Sequence, residues 1–538
     1  MKTKLLTTLT AALLLLIPNA SFGETINLGT AANFVLFSTN GAVSNTGLTL
    51  LTGNVGTDHG SSTAFSNVNG VMHDQDGASF QCGTDLLIAY NQLNATTPTN
   101  FIAPLLGTGT TLIAGVYSVS GASTLDGELT LDAQNNPNAV FIFKLQGSFA
   151  TTAASKVTLT NGALACNIFW KVEGLVSMAT GTSMKGTVIA NNAAIVINTG
   201  SILEGRALST TGAITVDGFT AYMPLGCASV TLNGPTAPNL ATTQCYGLFS
   251  SNGNVVNTGV SNIKGDVGTN MTTTDGFDAL KVTGSIHQIP DVSTAKCAAD
   301  LINVYTYLNT LSTNIELLYP QQFGHNLELT PHVYYLNSAT VLTDSVFLNA
   351  QGNANAVFVI KINGALSTNT YSKIVLKNGT QSKNVYWVVN GAVSINNYSK
   401  FRGTLVCNAA IDFGFGATLD GRAMTTVGAL SVAELTMTMP ISCMTTNVGT
   451  VDTEKILNLV TVAPNPIGIS TTIVINGINK SVNYKFLVYN MLGKEVINTV
   501  LTRQTTSLDT KELRTGIYFY KVMNNNQLVQ SGKLISNQ

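Results

Sequence analysis

The chain has 538 residues, with 26 basic side chains against 27 acidic ones. So even a balance leaves no electrostatic footprint for nucleic acid or for an anionic membrane surface. Only 10% of the residues are charged; the surface must be covered by neutral hydroxyls and amides, which suits an uncharged partner.

Residues 1–23 have the layout of a signal peptide: Lys2 and Lys4, an apolar run from 5 to 17, then the small residues Ser21 and Gly23. The apolar run is too short for a comfortable membrane span, and no later stretch is longer. The expectation is a secreted or outer-surface chain without a membrane span.

The next feature is a duplication. Asn138-Ala-Val-Phe-Ile-Phe-Lys144 recurs as Asn355-Ala-Val-Phe-Val-Ile-Lys361, and Asn167-Ile-Phe-Trp170 as Asn384-Val-Tyr-Trp387. Glu204-Gly-Arg-Ala207 recurs as Asp420-Gly-Arg-Ala423, and Met223-Pro224 as Met439-Pro440. The constant offset predicts whole repeated domains at 24–227 and 241–443, with linkers at 228–240 and 444–455. Within each copy a shorter period appears. Gly181 and Gly200 stand 19 residues apart, as do Gly186 and Gly205, with β-branched runs such as Ile195-Val-Ile197 between them. Short strands punctuated by glycine predict a β-solenoid of three strands per coil, each coil burying its neighbour's apolar face.

One helix interrupts each copy. Leu86, Ala89, Tyr90 and Leu93 form one stripe, and Leu301, Val304, Tyr305 and Leu308 another; both should dock on the solenoid's flank. The tail, 456–538, has alternating strands such as Phe486-Leu-Val-Tyr489 and predicts a small β-sandwich. Of seven cysteines, each copy has one at its helix start and one just past Met-Pro. Disulfides Cys82–Cys227 and Cys297–Cys443 are expected on that ground, with Cys227–Cys245 as the competing pairing and Cys166 and Cys407 as buried thiols.

With Leu28-Gly-Thr-Ala-Ala-Asn-Phe34, Thr52-Gly-Asn-Val-Gly56, Gly205-Arg-Ala-Leu208, Gly265-Asp-Val-Gly268 and Gly421-Arg-Ala-Met424, these repeats make both copies resemble the bacterial and fungal ice-binding-like domain family. The tail, through Pro464-Asn-Pro466 and Gly516-Ile-Tyr518, resembles the sorting domain of the type IX secretion system. The resemblance implies an irregular, triangular, right-handed β-helix with a helix alongside, a flat face for ice, and the secretion machinery as a second partner. Members carry a face motif of Thr, then Ala or Gly, any residue, then Thr or Asn. Thr46-Gly-Leu-Thr49 matches it fully; Thr180-Gly-Thr-Ser183, Thr199-Gly-Ser-Ile202 and Asp217-Gly-Phe-Thr220 match in part. The expected ice-binding residues are therefore Thr46, Thr49, Thr180, Thr182, Ser183, Thr199, Ser201 and Thr220. Thr210, Thr211 and Thr215 offer another rank. The second copy departs at Asn397-Tyr-Ser-Lys400 and Phe415-Gly-Ala-Thr418, so the first copy is expected to be the main binder.

Two rival classes remain: a surface adhesin that binds glycans, and a polysaccharide-active β-helix enzyme. The five histidines form no HExxH frame, and no GxSxG elbow or CxxC pair is present. His73-Asp-Gln-Asp76 fits a polar loop cluster better than a metal site. Arg206 beside Glu204, and Arg422 beside Asp420, are expected to be structural ion pairs at a coil corner. No cofactor, metal or catalytic residue is expected.

Overall fold

Strands such as Ile195–Ile197 alternate inward and outward: Ile195 and Ile197 are fully buried and Val196 is not. Three such strands make one coil. The structure, a computed structural model, describes residues 26–227, 231–439, 460–475, 484–524 and 527–537. The expected signal peptide, Cys443 and the linker 444–455 lie outside the described residues. The chain forms two compact units, Met1–Cys443 and Met444–Gln538.

The first unit holds two three-sided stacks of parallel strands, one from each copy. We name the sides A, B and C. In the first copy, face A runs from Asn100–Phe101 through Gly115–Val119, Phe141–Leu145 and Ile168–Val172 to Phe34–Asn40, Asn54–His59 and Met72–Asp74. Face B runs from Leu105–Gly107 through Ser123–Asp126, Phe149–Thr151, Val176–Met178, Ile195–Ile197 and Ile214–Asp217 to Val43–Thr46 and Ser62–Thr63. Face C carries Thr110–Ile113, Glu128–Asp132, Lys156–Thr160, Thr220–Tyr222 and Leu50–Thr52. Ser183–Ala190 and Ile202–Ser209 bend from C into A. Glycine makes that bend possible: a Cβ on Gly205 would lie 1.9 Å from the Gly186 carbonyl oxygen. This is why glycine recurs at that bend, as Gly186 and Gly205, in successive coils.

The amino-terminal coils stack on the last coil rather than the first, since Phe34–Asn40 pairs with Ile202–Ser209. The chain must therefore return to the far end of the stack. Helix α1, Gly77–Ala95, makes the return along face A, covering about 28 Å at 1.5 Å per residue. Asp76 and Ser79 close a capping box at its start. Leu86, Ala89 and Leu93 pack on Phe37, Phe169, Ile189 and Leu208 of face A. Helix α2, Val292–Thr310, does the same in the second copy with Leu301, Val304 and Leu308. The repeated lysines finish both helices: Lys144 Nζ donates to the Asn94 and Thr96 carbonyls, and Lys361 Nζ to those of Asn309 and Leu311. The repeated tryptophans fill the cores. Trp170 Nε1 donates to Lys185 O and Trp387 Nε1 to Arg402 O, each at 2.9 Å; Trp170 also stacks on Phe143 with centroids 4.0 Å apart.

The copies meet end to end. Asn67 exchanges two 2.8 Å hydrogen bonds with the Tyr319 backbone, and Tyr334 Oη lies 2.7 Å from Asn69 Oδ1. Leu50–Thr52 of one face C lies against Leu327–Leu329 of the other. Met72 of one face A lines a cavity with Glu316 of the other. Like faces thus meet like faces, and the two B faces are turned the same way.

Two expectations need correction. Cys82 and Cys297 are buried free thiols on the helix stripes that press into apolar clusters, so neither joins Cys227 or Cys443; burial pushes both thiols up. Cys227 is bonded to Cys166 instead, which also excludes Cys227–Cys245. That bridge pins residues 165–167 to the end of the last coil. Cys245 is also disulfide-bonded, and Cys407 is a buried thiol. Nor do the arginines pair with their neighbours. Arg206 turns inward to the Ala32 carbonyl and Thr187, and Arg422 to the Gln244 carbonyl, while Glu204 binds Lys185 at 2.8 Å.

In the first copy Lys171 is buried beneath α1 and pairs with Glu173, which also accepts from Tyr90 and Asn191. The second copy has Val388 and Asn390 there, with Tyr305 donating to Asn390 at 2.6 Å. The second unit consists of a three-stranded and a four-stranded antiparallel sheet sharing one core, including Ile473, Leu508, Phe486 and Val522.

Two tests follow from this packing. Non-reducing peptide mapping should give Cys166–Cys227 and should join Cys245 to Cys443, the one cysteine not otherwise assigned; a Cys82–Cys227 peptide would contradict it. Glu173→Gln strands a buried ammonium and should cost about 3–5 kcal/mol in denaturant unfolding, whereas Lys171→Val with Glu173→Asn, copying the second domain, should cost less. Burial raises the Glu173 carboxyl, but hydrogen bonds from Lys171, Tyr90 and Asn191 outweigh it and hold the group below its ordinary value. Its contribution is present above the usual carboxylate range and is lost as pH falls through the lowered value. The double variant should therefore lose less stability in acid than the parent.

Candidate binding face

The three faces differ in what they offer a partner. Face A is covered by its helix. Face C carries charge: Glu128 pairs with Lys156 at 3.1 Å and Lys185 with Glu204 at 2.8 Å, with Tyr222 in the next rung. Face B is built from small, mostly neutral side chains.

Strand register sets those side chains in ranks. In the first copy the central outward rank is Leu105, Thr124, Ala150, Ser177, Val196, Thr215, Ser44 and Thr63. Beside it runs Ala122, Ser148, Leu175, Ala194, Ala213, Ala42 and Ser61. Leu175, 46% exposed, is the one bulky side chain in that second rank. The second copy repeats the plan with Val341, Ser367, Ser394, Asp412, Ser431, Val256 and Asp275. Its adjoining rank is Ala339, Ala365, Ala392, Ala410 and Ala429, then Asn254 and Thr273. Successive rungs follow the inter-strand spacing of about 4.7–4.9 Å. From Thr124 to Ser44 and from Val341 to Val256, each side chain of the central rank stands between two buried neighbours, so the surface is set before any partner arrives.

The residues expected from the Thr-Gly motif separate into three groups. Thr46, Thr180 and Thr199 are exposed and come together along the B–C corner. Thr46 donates to Asp217 Oδ1 at 3.1 Å, and Thr199 donates to Asp217 Oδ2. Thr49, Thr182 and Ser201 are buried and stitch the corner from inside: Thr49 to Asn45, Thr182 to Thr151 and the Ala179 carbonyl, Ser201 to that same carbonyl. They cannot touch a flat surface. After Gly181 and Gly200 the next residue, Thr182 or Ser201, goes into the core, whereas after Gly47 it is the second one, Thr49, with Leu48 left exposed. Ser183 and Thr220 lie on face C, at the positions flanking Ile202. Lys400 is likewise on face C, paired in register with Lys373 and Thr418, and so does not interrupt face B. Phe415 stands at the B–C corner, packed on Tyr398, which stacks on Tyr371 at 5.1 Å.

The alanine ranks were not singled out in the sequence. Their signal is a small residue immediately before the first inward residue of a face B strand, as in Ala194-Ile195 and Ala213-Ile214. Thr215, from the alternative rank, is central. Thr210 and Thr211 lie at the A–B corner, where Thr210 bonds Asn191. The histidine clusters serve the helices: His73 holds the Asp76 cap at 2.7 Å, and His287 holds the Asp291 cap at 2.6 Å. Among the described residues, no group of three His, Cys, Asp or Glu side chains could hold a metal.

Comparison with known proteins agrees with this architecture. Residues 37–221 and 249–438 match the Ice-binding-like family, and residues 461–537 match the secretion system C-terminal sorting domain. The ice-binding protein of an Antarctic Flavobacteriaceae bacterium is 57% identical, covering 77% of this chain and 99% of its own, with a TM-score of 0.76. An ice-binding protein of Nostoc sp. (strain HG1) is 37% identical over 35% of this chain and 71% of its own length. One from Colwellia sp. is 32% identical over 37% of this chain and 84% of its own. The sorting domain marks the chain as exported, either secreted or displayed at the outer surface. With two tandem matches spanning most of its length, the chain belongs to the Ice-binding-like family.

Proposed function

We propose that the chain adsorbs to ice, without catalysis, through the B faces of both copies. The observation that carries this reading is the pair of small-residue ranks on each B face, repeated coil after coil beside a charged face C. Ice offers no pocket, so many weak contacts must form at once, and a surface fixed in advance loses little entropy on doing so. Hydroxyls such as Thr215, Ser44 and Ser177 can each anchor a water, and the adjoining methyls leave room for ordered water between rungs. Thr adds a restricted χ1 to this preorganisation. The expectation that the first copy dominates rested partly on Lys400, which stands on the other face. The five successive alanines of the second copy, Ala339 to Ala429, give that copy a claim of its own, with Asp412 and Asp275 the charged members of its central rank.

A second reading, glycan adhesion, draws on one feature, the exposed stack of Tyr371, Tyr398 and Phe415. Binding to immobilised polysaccharide that is lost with Tyr371→Ala and Tyr398→Ala, and ice activity that is not, would favour it.

Thermal hysteresis of the purified chain tests the ice reading. Thr215→Lys should cut it severalfold while stability stays within about 0.5 kcal/mol, as for an exposed position. Thr220→Lys, on face C, should leave it near the parent value. Equal losses in both, or a loss only in Thr220→Lys, would refute the assignment of face B. Leu175→Ala, which makes its rank continuous, should raise activity.

A further inference from the structure

We propose that the open end of the first β-helix docks on the same end of a second copy of this chain, making a closed end-to-end dimer. The second copy's corresponding end, the coil at 315–330, is already covered within the chain by residues of the first copy, through Asn67–Tyr319 and Asn69–Tyr334. A solenoid end of this fold is thus a surface that another solenoid seals. In the first copy the matching coil is 100–113. Its equivalence is fixed by a shared contact: Tyr117 Oη donates to the Ile113 carbonyl at 2.6 Å, as Tyr334 Oη donates to that of Thr330 at 2.7 Å.

The chemistry of the two ends differs at matching places. Where the covered end has Glu316, Gln322 and Thr330, the open end has Phe101, Leu105 and Ile113. These three are 81%, 55% and 49% exposed. No charged residue occurs between 96 and 125. Asn100–Phe101, Leu105–Gly107 and Thr110–Ile113 are each the last strand of their ladder among the described residues, so unpaired backbone edges accompany the apolar side chains. An uncapped edge of this kind is a template for pairing; Phe101, Leu105 and Ile113 rim it, one on each of faces A, B and C, so apolar side chains border the edge on all three sides.

The partner follows from charge. The opposite end of the first unit, around 274–287, surrounds the exposed Leu280 with Asp275, Asp278 and Lys281. Seating those groups on an uncharged apolar end would strip their hydration without return. The end that complements Phe101, Leu105 and Ile113 is another copy of itself. Such a self-complementary contact is isologous and closes at two chains, whereas head-to-tail contact would leave open filaments. Apart from Leu105 in the end rung, the ranks of face B remain outside the contact.

Sedimentation equilibrium of the full chain should report a dimer. Phe101→Glu with Leu105→Glu should give a monomer whose melting curve and circular dichroism match the parent, since both side chains are exposed. Leu280→Asp should remain dimeric. A parent that stays monomeric as concentration rises would overturn the proposal. So would a dimer that survives the double substitution, or association that grows beyond two chains and is abolished by Leu280→Asp.

Discussion

Parallel hydrogen bonding from coil to coil is the constraint on which everything else rests. Each outward strand position is paired in register with its counterpart one rung away, as in Ser177–Val196–Thr215–Ser44. Strand alternation then sends every second residue into the core. The same ladder therefore builds the buried column of Phe143, Trp170 and Phe149 and the exposed ranks of face B. Neither can shift by one residue without exchanging core for surface.

Given that ladder, the faces divide their tasks by what covers them. Face A is sealed by a helix that the topology requires, because the amino-terminal coils sit at the far end of the stack from residue 100. Face C holds cross-rung ion pairs, which keep it hydrated. Face B is left with mostly small side chains, Leu175 and Leu105 being the bulky exceptions in the first copy. The end-to-end contact of the copies, with A against A and C against C, sets two such faces in one body.

Much of the fold was legible because duplication exposes what is structural. The repeated Trp170 and Trp387, Lys144 and Lys361, and the glycine period each had a mechanical reason that the structure supplies. The face was harder to find. Thr-Gly is prominent in the sequence, but it marks the corner, where the chain turns and the following Thr182 or Ser201 goes inside. One of the two ranks of face B is largely alanine, and a single small residue ahead of each strand is a fainter signal than the repeated Thr-Gly. The cysteines were misassigned for a related reason. Duplicated Cys82 and Cys297 looked paired, yet repetition preserves a packing position as readily as a bridge, while Cys166–Cys227 has no counterpart in the second copy.

The central claim is that the B faces meet ice directly. Its most direct measurement is adsorption of the fluorescently labelled full chain to a single-crystal ice hemisphere. The account predicts that the parent lights defined crystal planes and that a variant carrying Thr215→Lys and Ala410→Lys, one on each B face, leaves the ice dark. A dark hemisphere with the parent, or an unchanged pattern with the variant, would contradict it.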